Sequence, residues 1–98
     1  MLLKWTDLAL IDLEEIESYI AQENNPIVAI DAVIKIIDSV NWILSDHPGA
    51  GRQGRLKHTR ELVINGTPFV VIYKASASSH CIEVLRVLHS AQQWPTAG

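Results

Sequence analysis

Ninety-eight residues, 48% of them hydrophobic and 19% charged, suit one folded domain over residues 1–98 and argue against a disordered chain. The single cysteine, Cys81, allows no internal disulfide, no apolar run approaches the roughly 18 residues of a membrane span, and Asp7 and Asp12 interrupt any leader-like start. A cytoplasmic protein with no membrane partner is the expectation. The formal net charge of -3 conceals an asymmetry. Residues 1–46 carry nine acids against Lys4 and Lys35, whereas residues 47–98 carry six cations against Glu61 and Glu83, with all four histidines. Such segregation suits a basic face for a polyanion or an acidic partner, or two complementary halves of one fold.

In chain order, Leu2 to Trp5 reads as a short first strand. A helix over roughly residues 7–22 follows, because Ala9, Leu13, Ile16 and Ile20 recur at helical spacing between acids. Thr6 is its expected N-cap and Asp7 suits the positive end of the helix dipole. Asn25 and Pro26 restart the chain as cap and first residue of a second helix over roughly 26–45. Its predicted core face is Ile30, Val33, Ile34, Ile37, Val40 and Leu44, with Trp5 and Trp42 in the core as well. The segment "HPGAGRQG" closes the helical half with one proline and three glycines.

Strands are predicted over roughly 60–65, 68–75 and 80–89. Asn65-Gly66 marks the first hairpin and Ala75 to Ser79 the second connection. The class is therefore α+β, β-α-α-β-β-β: a short N-terminal strand and an antiparallel helix hairpin packed on an antiparallel β-meander. In the last strand, simple alternation sets Ile82, Val84, Arg86 and Leu88 against Glu83, Leu85, Val87 and His89. Both faces are then largely apolar, which a partner on the open face or a curled sheet would each explain.

No glycine-rich phosphate loop, zinc spacing or serine elbow is present, so no cofactor and no metal is expected. The chemistry lies in the stretch "GRQGRLKHTR", residues 51–60, which holds four cations, a histidine and no carboxylate. Arg52, Arg55 and Lys57 could neutralise phosphates in any nucleic acid. Together with His58, Arg60, Arg86 and His89 they also suit metal-free RNA cleavage. Arginines would hold the phosphorane charge, and a histidine or Glu61 would exchange the proton that arginine cannot. His47 and His80 sit beside turns and are expected to be solvated. Trp94 either staples the tail to the sheet or stacks on a base.

The element order, with "DLEEIESYI", "HPGAGRQGR", "TREL" (Thr59 to Leu62), "NGTPFVVIY" (Asn65 to Tyr73) and "IEVLRVLHSAQQWP" (Ile82 to Pro95), resembles the RelE/ParE superfamily of bacterial toxins across essentially the whole chain. The resemblance implies the toxin half of a type II toxin–antitoxin pair, with a cognate antitoxin as partner. RelE-like members cut mRNA on the ribosome with a basic patch, whereas ParE-like members inhibit DNA gyrase. Arg60, Arg86 and His89 match patch positions, and Lys57 and His58 fall near them. A tyrosine common near the RelE-like C-terminus is replaced here by Trp94. The basic loop favours ribosome-dependent mRNA cleavage as the expected activity. Gyrase inhibition and an inactive binding domain of the same fold are the alternatives.

Overall fold

The computed structural model describes residues 2–90. Its elements are β1 (Leu2–Trp5), α1 (Asp7–Glu23), α2 (Pro26–Asp46), β2 (Arg52–Gln53), β3 (Arg60–Val63), β4 (Phe69–Ser76) and β5 (Cys81–His89). Both helices start as the sequence predicts. The Thr6 hydroxyl accepts the Ala9 N–H at 3.1 Å, and the Asn25 side chain accepts the Val28 N–H at 3.0 Å with Pro26 in the first turn. Thr6 also donates to the Leu85 carbonyl at 2.9 Å, so the cap of α1 is tied to β5.

The sheet runs β1-β5-β4-β3-β2. β3, β4 and β5 form the expected antiparallel meander, turned at Gly66, which takes φ 78. β1 adds to the far side of β5 in parallel, from Leu2 against Cys81 to Trp5 against Val84, which makes the sheet mixed. β2, two residues inside the basic stretch, pairs antiparallel with β3 and was not predicted. The helix hairpin covers one sheet face. Ala9, Leu13, Ile36, Val40 and Leu44 meet Leu62, Val71, Tyr73, Ile82, Val84 and Val87 in the main core, and Trp5 packs against it.

The predicted core face of α2 is only partly right. The buried residues are Ala29, Ile36, Val40 and Leu44, while Ile30 and Ile34 are half exposed and Trp42 is 81% exposed. Helical phase explains the correction. With Val40 and Leu44 facing the sheet, Trp42 lies about 200° round the helix from Val40 and must point outward. The helix is thus apolar over an arc wider than the sheet covers.

The two apolar faces of β5 have a backbone cause. A bulge shifts the register between Ile72 and Tyr73, so that Ile72 pairs with Arg86 but Tyr73 pairs with Val84. One extra residue inverts the alternation. Ile82, Val84 and Val87 therefore share the helix side, whereas Leu85 and Leu88 join Val70 and Ile72 in a second, smaller cluster. Neither face needed to be apolar throughout.

Candidate functional site

The basic stretch is held by buried groups beneath it. Glu61, 6% exposed, stands opposite Arg52 in the β2–β3 ladder. Its Oε1 accepts from the Arg52 guanidinium at 3.0 and 3.3 Å, and its Oε2 accepts the Arg55 backbone N–H at 3.2 Å. One carboxylate thus fixes two points of the loop and neutralises Arg52. The loop tip is closed by Thr59, whose N–H and hydroxyl both donate to the Leu56 carbonyl. His58 occupies the third position of that turn with φ 68, a left-handed conformation uncommon outside glycine. Its imidazole is exposed beside the cations of the loop.

A second fastening comes from Tyr73, fully buried on β4. Its hydroxyl accepts the Gly51 N–H and donates to the Pro48 carbonyl, both at 2.8 Å. Burial pushes the phenol pKa above its ordinary value, against the opposing effects of the Gly51 hydrogen bond and the Arg60 charge. Gly51 has no room for a side chain, because a Cβ there would stand 2.8 Å from the Tyr73 ring and 2.9 Å from the Glu61 carbonyl oxygen. Arg60 then donates from Nη1 to the Gly51 carbonyl at 2.8 Å and to that of Gly49 at 3.4 Å. Among the described residues neither Arg60 nor Lys57 meets a carboxylate within salt-bridge distance. Their positive charge is displayed on an ordered loop.

Arg86 is placed differently. It stands beside the bulge and reaches α1, where its Nε and Nη2 donate to the two oxygens of Asp12 at 2.8 and 3.0 Å. Asp12 is buried and takes a third hydrogen bond from the Val87 N–H at 2.9 Å. The hydrogen bond to Asp12 raises the Arg86 pKa further, so the guanidinium stays charged at any working pH. The pair lines a groove of about 630 Å³ together with Glu15, Ile16, Ile20, Phe69 and His89. Arg86 therefore faces α1 and this groove, away from the basic loop.

His89 ends β5 opposite Phe69, whose ring it meets edge-on at a centroid distance of 6.0 Å. Arg60 pairs with Tyr73, four residues along β4 and on the other side of that strand. Strand geometry then separates the Arg60 and His89 backbones by about 16 Å. His89 does share a notch of about 40 Å³ with Arg52, Arg55 and Glu61, over Val70, Ile72 and Leu88. Arg52, Arg55, Glu61 and His89 thus line one notch, Arg60, Lys57 and His58 lie on the loop and its exit, and Arg86 shares the α1-side groove with His89. Trp94 lies outside the described residues.

Two residues that organise the site, Asp12 and Tyr73, escaped the sequence reading. Asp12 carried a signal, since it falls on the apolar side of α1 three residues after Ala9. Tyr73 carried none, because an aromatic residue in a strand reads simply as core.

Comparisons with known proteins agree with this architecture. Residues 3–94 match the family model described as ParE toxin of type II toxin-antitoxin system, parDE. The chain is 40% identical, over 95% of its length and 92% of the relative's, to "Putative toxin Y4kP" of Sinorhizobium fredii (strain NBRC 101917 / NGR234). Among solved structures, a chain of the chromosomal ParDE TA system from P. aeruginosa superposes with a TM-score of 0.82 at 29% identity, covering 91% of this chain and 95% of that one. A chain of the toxin-antitoxin complex RelBE2 from Mycobacterium tuberculosis superposes with a TM-score of 0.67 at 20% identity, covering 90% and 95%, a likeness of fold.

Proposed function

Because the chain belongs to the ParE toxin family of type II toxin–antitoxin systems, we propose that it arrests growth as its ParE-like relatives are expected to, by binding DNA gyrase through its basic pole. The toxin assignment and an antitoxin partner come with the family; the target is our reading. The observation that carries it is the engagement of Arg86 by Asp12. A metal-free nuclease needs its cations and its proton donor within reach of one phosphate. Here Arg86 is held by a buried carboxylate on α1, and Arg60 is anchored to loop carbonyls, its backbone about 16 Å from that of His89. What remains is a rigid display of Lys57, Arg60 and their neighbours. Such a surface gains affinity by preorganisation and moves no proton.

The second reading, ribosome-dependent mRNA cleavage, draws on one observation. The notch gathers an imidazole, a carboxylate and two arginines in one place, His89 with Glu61, Arg52 and Arg55. In that reading His89 protonates the leaving oxygen and the arginines steady the phosphate.

Expression without antitoxin, with labelling of DNA and protein synthesis, separates the two. Gyrase binding predicts that DNA synthesis stops first, that the purified chain inhibits supercoiling, and that His89→Gln keeps its toxicity within about threefold. Lys57→Ala with Arg60→Ala should lower toxicity at least tenfold, a loss of about 1.4 kcal/mol or more of target binding. Protein synthesis stopping first, with cleavage falling about a hundredfold in His89→Gln, would leave the nuclease standing. Unchanged growth would mark an inert binding domain.

A further inference from the structure

The outward side of α2 carries an apolar row that the fold leaves uncovered. Ile27, Ile30, Ile34 and Trp42 fall within a sector of about 120° on the helical wheel, and Ile27 and Trp42 are 72% and 81% exposed. Together with the buried stripe it adjoins, the row makes the apolar arc of α2 wider than one covered face needs. Exposed Asp31 and Asp38 lie within the same sector, between Ile27 and Trp42 on the wheel. The whole hairpin, residues 7–46, holds nine carboxylates against Lys35. That lysine is drawn away: its Nζ lies 3.0 Å from where a Gly66 Cβ would stand, at the β3–β4 turn.

We propose that this side of α2 is a docking surface for one amphipathic helix of another protein, apolar on the face it presents and flanked by lysine or arginine. The basic pole plays no part in it. Size and charge both select this occupant. From Ile27 to Trp42 the row is about 22 Å long, the span of one helix of four turns. One helix's width of contact falls short of the roughly 800 Å² per partner of a stable globular interface. A second copy of the chain would set one acidic hairpin against another. A cationic helix instead places ammonium or guanidinium groups at Asp31 and Asp38. A shallow depression beside Asp38 and Trp42 can take a lysine stem along the indole, with its charge at the carboxylate.

Two synthetic helices test this on the purified full chain, one with leucines at helical spacing and lysines elsewhere, the other with glutamates replacing the lysines. Calorimetry should show the leucine–lysine helix binding at least about thirtyfold tighter, and binding should shield Trp42 from a soluble quencher, judged by difference from Trp42→Phe. Ile30→Ser with Ile34→Ser, both at exposed positions, should weaken binding about tenfold. Arg60→Ala should leave it unchanged, which separates this surface from the gyrase reading. Equal binding of both helices would overturn the proposal, as would lysine-helix binding indifferent to the two isoleucines. So would a concentration-dependent dimer that the isoleucine changes abolish, which would make the occupant a second copy.

Discussion

Tyr73 shows how much one hydroxyl can organise. It accepts the Gly51 N–H and donates to the Pro48 carbonyl, and Gly51 in turn receives Arg60. Tyr73→Phe keeps the ring in the core but leaves a buried donor and acceptor without partners, at a cost of about 1–3 kcal/mol. The melting temperature should fall by roughly 5–15 °C, and proteolysis should quicken within residues 48–55. The pH dependence has a definite sign. Burial raises the folded phenol pKa above its unfolded value near 10, so this contribution is complete below that pH and is lost as pH rises through the folded pKa. The difference in stability between the wild type and Tyr73→Phe should therefore narrow only in strong alkali. Unequal melting with a gap that widens upward through that range would contradict the assignment. None of this was legible beforehand, since a hydrogen bond across 22 residues leaves no local pattern.

At the scale of elements, the legible parts were those governed by near neighbours. Thr6, Asn25 and Pro26 announced both helix starts, and Asn65-Gly66 announced the hairpin, because caps and turns satisfy backbone groups within a few residues. The rest depended on distant choices. Nothing in Ile82 to His89 announces the bulge, which brings Val87 to the helix side and turns Leu88 to the other. The outward turn of Trp42 was likewise invisible, because α2 has enough apolar residues to fill two stripes. Simple alternation set Arg86 and His89 on opposite faces, and spacing cannot count the extra residue that brings both to one groove. Asp12 now joins α1 to that bulge, so Asp12→Asn, which preserves shape and removes charge, should destabilise by about 2–3 kcal/mol. The urea midpoint should drop with its slope unchanged, and the loss should not add to that of Arg86→Ala. Full additivity would mean that the two side chains act independently.

The whole molecule has a charged polarity, an acidic hairpin with the described cations concentrated in the basic loop, and a sheet whose ends in sequence are neighbours in space. Among the described residues, β1 has its only strand partner in β5, through Leu2 to Trp5 against Cys81 to Val84. α1 packs on β5 as well, through Asp12 and the Thr6 cap. A chain stopped at Ser79 should therefore keep helical circular dichroism but lose its cooperative melt, whereas a sharp transition in that fragment would show that β5 is dispensable. The same arrangement has a meaning during synthesis. At about 5–20 residues per second, the first strand leaves the ribosome several seconds before its partner has been made. Through that interval the nascent chain has a helix hairpin without its central backing and an edge with nothing to pair. A toxin of this family is thus assembled last-piece-last, and its sheet stays unfinished until β5 has left the ribosome.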